Sequence, residues 1–196
     1  MSKYLKYGII EDIDTVRRLP IGRFWEVNLL ITPLTWSSPF VFFGLHILLH
    51  LLNPHLSLTD RLYQAFLFTI AVEMTTVFHA FGHILSGKLA QSAMDELLIT
   101  ATRDVNLYHG DQSLVPSHVH LIRSLGGPIL NLCIAGVCSL FAPLVGQAFW
   151  SDLLASLIST NLFFGIGGFL PLPLVDGEVI WRELLRPITS RLRANQ

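Results

Sequence analysis

Long apolar segments separated by short polar stretches dominate the pattern of this chain. Residues 27–59, 125–151 and 153–175 contain no Lys, Arg, Asp or Glu. A helix that crosses a bilayer needs about 20 mostly apolar residues. The pattern therefore predicts four transmembrane helices, at 34–52, 62–89, 124–150 and 153–175.

The polar stretches predict a small β element beside these helices. Residues 24–31, within a lead-in segment at 1–33, are rich in aromatic and β-branched side chains and predict a strand. Residues 97–102 predict a second strand, inside a polar insert at 90–122. The fold class expected is an all-α polytopic membrane protein of about four transmembrane helices, with a small β element on the cytoplasmic side. We expect residues 1–196 to form one membrane-embedded domain.

Composition and charge support a membrane location. The 196 residues are 52% hydrophobic and 14% charged, whereas soluble domains carry about 25% charged residues. A net charge of -1 gives no basic bias toward nucleic acid, so the lipid bilayer is the partner expected and nucleic acid is not. Lys and Arg are concentrated before the first span and after the last, which predicts that both termini and the polar insert are cytoplasmic.

The second predicted span contains a pair of histidines, His79 and His83, four residues apart. On a helix this spacing places both imidazoles on one face, one turn apart, where they can bind one metal ion. Zinc peptidases use the same spacing as H-E-x-x-H, in which the Glu is the general base. Ala80 occupies that Glu position here.

A carboxylate at a similar depth completes a ligand set. Asp176 follows a stretch of glycines and prolines, which breaks a helix and survives in a bilayer only when it faces the protein interior. His79, His83 and Asp176 all fall within roughly 14 Å of the cytoplasmic end of their spans, at 1.5 Å per residue. Two imidazoles and a carboxylate are a common ligand set for catalytic zinc.

Other polar side chains in the apolar segments have simpler explanations. Glu73 lies about 120° around the helix from His79, and we expect it to form a hydrogen bond inside the bundle. His46 and His50 are also four apart, and packing inside the bundle explains them better than metal binding does.

At these residues the chain resembles the site-2 protease family of intramembrane zinc metalloproteases, in its compact bacterial and archaeal form. Residues 78–83 are similar to the H-E-L-G-H motif, 126–131 to A-G-P-x-x-N, and 170–177 to L-P-x-P-x-L-D-G. The resemblance implies zinc ligands at His79, His83 and Asp176. It also implies substrate-binding positions, which are Gly168, Asn131 and Pro171.

The resemblance further implies a reaction and a substrate. The reaction is hydrolysis of peptide bonds in or near the transmembrane helices of a protein or peptide substrate. An unwound substrate would be held along a sheet edge supplied by the polar insert.

Two positions depart from the family pattern. Ala80 replaces the general base, and Gly168 replaces an Asn that precedes the Asp by eight residues. Loss of a general base costs about 10²–10⁴ in rate, so the chain is expected to bind zinc and to cleave poorly or not at all. Ala80 is either an engineered knockout or natural. Glu178 is a weaker candidate for a substitute base.

Two other functions remain open at this point. A natural pseudoprotease would bind membrane-protein partners in the same groove without cleaving them, and its zinc would be structural. A metal-ion transporter would use the histidines and Glu73 as a polar path, but it leaves the stretch at 170–177 unexplained.

Overall fold

The computed structural model describes residues 11–51 and 55–194, with side chains as far as residue 186. The chain forms four strands and five helices in these residues. In order they are β1 (Leu19–Phe24), β2 (Val27–Ile31), α1 (Ser38–His50), α2 (Leu58–Leu89), β3 (Glu96–Ile99), β4 (Asp104–Leu107), α3 (Ser117–Phe141), α4 (Ala148–Gly167) and α5 (Asp176–Ala194).

Three of the described helices, α2, α3 and α4, are long and apolar enough to cross a membrane. Helix α1 has 13 residues, about 20 Å at 1.5 Å per residue, which is short of a ~30 Å hydrocarbon core. A span over the full 34–52 therefore stays a prediction.

The helices that cover the last two predicted spans have different bounds from those spans. Helix α3 ends at Phe141 and passes into a 3-10 turn, Ala142–Leu144, where Pro143 cannot continue the helix. Helix α4 starts at Ala148 and stops at Gly167, because the glycines and prolines that follow leave residues 168–175 irregular. Residues 124–150 and 153–175 are thus uncharged throughout but only partly helical.

The β element is one four-stranded sheet in the order β1-β2-β3-β4. β1 and β2 form an antiparallel hairpin, β2 pairs with β3 in parallel, and β3 pairs with β4 antiparallel. The single strand expected at 24–31 was wrong, because Trp25 and Glu26 take positive φ angles of 44° and 71° and turn the chain. The sequence indicated β3 but did not indicate β4.

The two faces of the sheet bury different clusters. One face packs with Ile13 of the lead-in segment, and its members are Leu30, Leu98, Val105 and Leu107. The other face lies against α2, where Val27, Met94 and Leu97 form a cluster with Ala80 and Ile84. The sheet is therefore packed beside the helical turn that carries the paired histidines.

Helices α2, α3 and α4 pack against one another, α1 packs on α2, and α5 packs on α3. Glycines bring α2 and α3 into close contact, since a Cβ at Gly82 would overlap the backbone of Gly126, and a Cβ at Gly126 would overlap Ser86 and the Gly82 carbonyl. Small residues allow such close approach of helices in membranes. The contact holds the start of α3 over the histidines of α2.

Candidate metal centre

The three predicted ligands meet at the junction of α2, α3 and α5. His79 Nε2 lies 2.9 Å from one carboxylate oxygen of Asp176, and His83 Nε2 lies 3.3 Å from the other. The two Nε2 atoms are 3.1 Å apart. Among the residues that the structure describes, this is the one group of three or more potential ligands close enough to share a metal ion.

The geometry fits a tetrahedral zinc ion. Two ligand atoms ~2.0–2.1 Å from zinc lie roughly 3.3 Å apart, close to the separations of the three pairs above. Gly127 of α3 provides the space, because a Cβ there would fall 2.5 Å from His79 Nε2 and 2.6 Å from His83 Nε2. The missing side chain of Gly127 leaves room in front of both donor atoms.

The ring of His83 is oriented by α3. Its Nδ1–H donates to the carbonyl oxygen of Arg123 at 2.8 Å, which leaves Nε2 free to face Asp176. The Arg123 side chain is itself anchored, since it donates to Ser92 and Gln112 and stacks on Tyr108 with its guanidinium 4.1 Å from the ring centre. Metal-binding histidines characteristically have such a partner on the second ring nitrogen.

The ring of His79 has a similar partner in Asn131. The Asn131 amide nitrogen lies 3.1 Å from His79 Nδ1, while Asn131 Oδ1 is buried and has no hydrogen-bond partner in the described part of the chain. A ring that binds metal through Nε2 carries its hydrogen on Nδ1 and needs an acceptor there. A half-turn of the carboxamide brings Oδ1 to the ring and gives both groups a partner.

Asp176 is positioned by the irregular segment that ends α4. Leu174 takes a positive φ of 69°, and its N–H donates to the side chain of Glu178 at 3.1 Å. Gly177 is required after Asp176, since a Cβ there would overlap the carbonyl of Leu170. Glu178, the candidate substitute base, is thus engaged with the backbone before α5.

The two departures from the family pattern are both well packed. Ala80 is 4% exposed and lies in the apolar cluster between α2 and the sheet. Gly168 is buried, and a Cβ there would come 2.5 Å from a ring carbon of Pro128 and 3.0 Å from the Phe164 carbonyl. At Gly168, therefore, a larger residue would require movement of these neighbours.

The remaining residues that the sequence singled out differ in their distance from the three ligands. Asn131 is fully buried against His79, whereas Pro171 is exposed on the irregular segment. Glu73 accepts a hydrogen bond from Ser38 at 2.7 Å, which confirms the expected bond inside the bundle. The roles of Gly168, Asn131 and Pro171 in binding substrate stay predictions.

The packing expected for His46 and His50 is observed, whereas nothing in the sequence indicated the environment of Asp104. The rings of His46 and His50 lie 4.4 Å apart and pack on Phe68. Asp104 is half-buried on β4, and burial raises its pKa to about 7, with opposing effects from the charges of His83 and Glu73. A single Asp in a polar insert does not by itself indicate burial. Asp104 is half-buried because it lies on β4, and the sequence did not predict that strand.

A known structure shares this architecture. The site-2 protease from Methanocaldococcus jannaschii matches with a TM-score of 0.58 and 17% sequence identity, over 86% of this chain and 72% of that chain. No family model matches the sequence, and neither does a curated protein. In this chain, the shared architecture combines three apolar helices and a four-stranded sheet. It also brings two histidines and an aspartate together. The chain has the fold of a site-2 protease.

Proposed function

We propose that this chain is a membrane-embedded zinc protease of the site-2 type, which hydrolyses peptide bonds in or near transmembrane helices of its substrates. The observation that carries the proposal is the meeting of His79, His83 and Asp176 in front of Gly127. Three protein ligands with one open position are typical of catalytic zinc.

In this proposal, residues of the chain bind the metal ion and orient its two histidine ligands. His79, His83 and Asp176 would hold the ion, and the Arg123 carbonyl and Asn131 would fix the two rings. When bound, zinc supplies a Lewis acid for the scissile carbonyl and lowers the pKa of water to about 7. Burial of the site limits competing water and strengthens its electrostatic interactions.

Two surfaces suit a transmembrane substrate. A groove of about 860 Å³ between α1, α2 and α4 extends to Phe164, whose ring packs against that of His79. β4 ends the sheet on one side, so its outer edge is unpaired among the described strands. A peptide bond in a helix is shielded, and an unwound segment added to this edge would be held extended for hydrolysis.

The cytoplasmic position of both termini and of the insert belongs to the same proposal. It is supported by the excess of Lys and Arg in the segments before the first span and after the last. It places the sheet and the metal centre toward the cytoplasmic side of the bilayer.

A pseudoprotease is the second candidate, and the packing at Ala80 and Gly168 favours it. Ala80 lies in a cluster of apolar side chains, Val27, Ile84, Met94 and Leu97. A side chain at Gly168 would require movement of Pro128. Such a protein would bind transmembrane segments and retain zinc for structure only.

The test is zinc content and cleavage of a model transmembrane substrate in liposomes, for the native chain and for Ala80→Glu. We expect zinc in both forms and faster cleavage by the Glu form, because the introduced carboxylate would stand next to His79 as the general base does in H-E-x-x-H. Asp176→Asn is the control that loses metal and cleavage together. Zinc in both forms with no cleavage by either would favour the pseudoprotease, and absence of zinc from both would overturn the proposal.

A further inference from the structure

The face of β4 that lies toward α2 carries a carboxylate that the metal centre does not use. Asp104 pairs with Ile99 in the antiparallel register, so the two side chains lie on the same face of the sheet. Ile99 packs on the cluster that contains Ala80. Alternation along the strand puts Asn106 and Tyr108 on this face too, and Tyr108 is packed on the same cluster.

Tyr108, directly after β4, is connected to the metal centre through Arg123. The Arg123 guanidinium stacks on Tyr108, and the Arg123 carbonyl orients His83. At the first residue of β4, the charges of His83 and Glu73, both on α2, act on Asp104. The other acidic residue of β3 and β4, Glu96, pairs with Arg18 instead.

The Asp104 carboxylate has no hydrogen-bond donor among the described residues. The charges of His83 and Arg103 favour its ionised form, while that of Glu73 opposes it. Burial of a carboxylate without a hydrogen-bond donor costs free energy on folding. Carboxylates with perturbed pKa values are found most often at functional sites. A pKa close to neutrality suits a group that must accept a proton and then release it.

We propose that Asp104 replaces the missing Glu as the general base of peptide hydrolysis, an inference that rests on the proposed function. Asp104 would take one proton from the attacking water as the water oxygen bonds to the scissile carbonyl carbon. It would return that proton to the amide nitrogen as the carbon–nitrogen bond breaks. One water is consumed, and a new carboxyl group and a new amine are formed.

The first experiment compares the native chain with Asp104→Asn and Asp104→Ala, each loaded with zinc. We expect both variants to lose about 10²–10⁴ in cleavage rate while zinc content stays near the native value and the melting temperature does not fall. Asp111→Asn, an exposed position on the same insert, is the matched control and should keep the native rate. Equal rates for the native chain and Asp104→Asn, or a loss in the Ala variant alone, would overturn the proposal.

A second readout does not depend on activity. Carbon NMR of protein labelled at the aspartate carboxyl groups, assigned with Asp104→Asn, measures the Asp104 pKa with and without zinc. Zinc is a nearby divalent cation and should lower that pKa, and Asp176→Asn should abolish the shift. An Asp104 pKa that ignores zinc would place the carboxyl away from the reacting water and overturn the proposal.

The cleavage assay distinguishes failure of the Asp104 proposal from failure of the proposed protease function. Cleavage by Ala80→Glu but not by the native chain would reject Asp104 as a base and keep the protease. Bound zinc with no cleavage by the native chain or by Ala80→Glu would reject both.

Discussion

The two sides of the metal centre are built differently. On the helix side, both histidines have a partner on the second ring nitrogen, from Arg123 and Asn131, and Gly127 leaves room for an ion. On the sheet side, Ala80 is packed among apolar side chains, and Asp104 has no hydrogen-bond partner in the described residues. The helix side therefore orients the two rings, whereas the sheet side presents an apolar cluster and one carboxylate.

The largest expected effect comes from filling the space in front of the ligands. Gly127→Ala adds a methyl group within 2.6 Å of both Nε2 atoms without changing a ligand. We expect zinc affinity to fall by more than the ~10–100-fold typical of a lost ligand partner, as measured by competition with a chelator. Gly136→Ala on the same helix, whose Cβ meets nothing within 4 Å, should bind zinc normally. Unchanged affinity in Gly127→Ala would place the ion elsewhere.

A smaller effect is expected from removing one ring partner. Asn131→Ala leaves His79 Nδ1 without an acceptor in a buried site. Zinc affinity should fall by about 10–100-fold. Asn131→Asp retains an oxygen next to the ring and should restore most of the affinity. If the Ala variant binds zinc as tightly as the native chain, Asn131 does not orient His79.

The smallest effect concerns the sheet side in the metal-free protein. The Asp104 pKa is raised from 3.8 to about 7 in the folded state, so the folded chain holds more protons than the unfolded chain between these values. Stability should therefore fall as pH rises from about 4 to about 7 and level off above that. Asp104→Asn should remove this part of the pH dependence and raise the melting temperature in detergent by a few degrees at pH 8.

Asp111→Asn is the control for that measurement. Its exposed carboxyl has a pKa lowered by hydrogen bonds from Ser113, so its titration lies below the window in question. The control should follow the native curve between about pH 4 and 7. Parallel curves for the native chain and Asp104→Asn would show that the Asp104 pKa is not raised.

The candidate ligand set could be predicted because each part of it has a local pattern. His79 and His83 share a helix face through a spacing of four, and the glycines and prolines before Asp176 signal broken backbone. Strand β4, which carries Asp104, has no comparable local pattern. Its four residues, Asp104–Leu107, contain one Val and one Leu and follow β3 by a short turn.

The hairpin illustrates the same limit. Residues 24–31 are rich in strand-forming side chains, but Trp25 and Glu26 form a turn without Gly or Asn. Pairing of β1 with β2, and of β2 with β3, outweighed the local preference. Long-range pairing of this kind cannot be inferred from one segment.

The sequence by itself determined the apolar helices, the paired histidines and an aspartate at matching depth, because helix periodicity and backbone breakers act over a few residues. Only the tertiary structure decided which groups surround them. Arg123 and Asn131 reach the rings because α3 packs closely on α2 at Gly82 and Gly126. Asp104 faces the same region because the register of β4 on β3 puts it on the inner face of the sheet. Contacts between residues distant in sequence depend on packing and strand register, which a linear pattern does not encode.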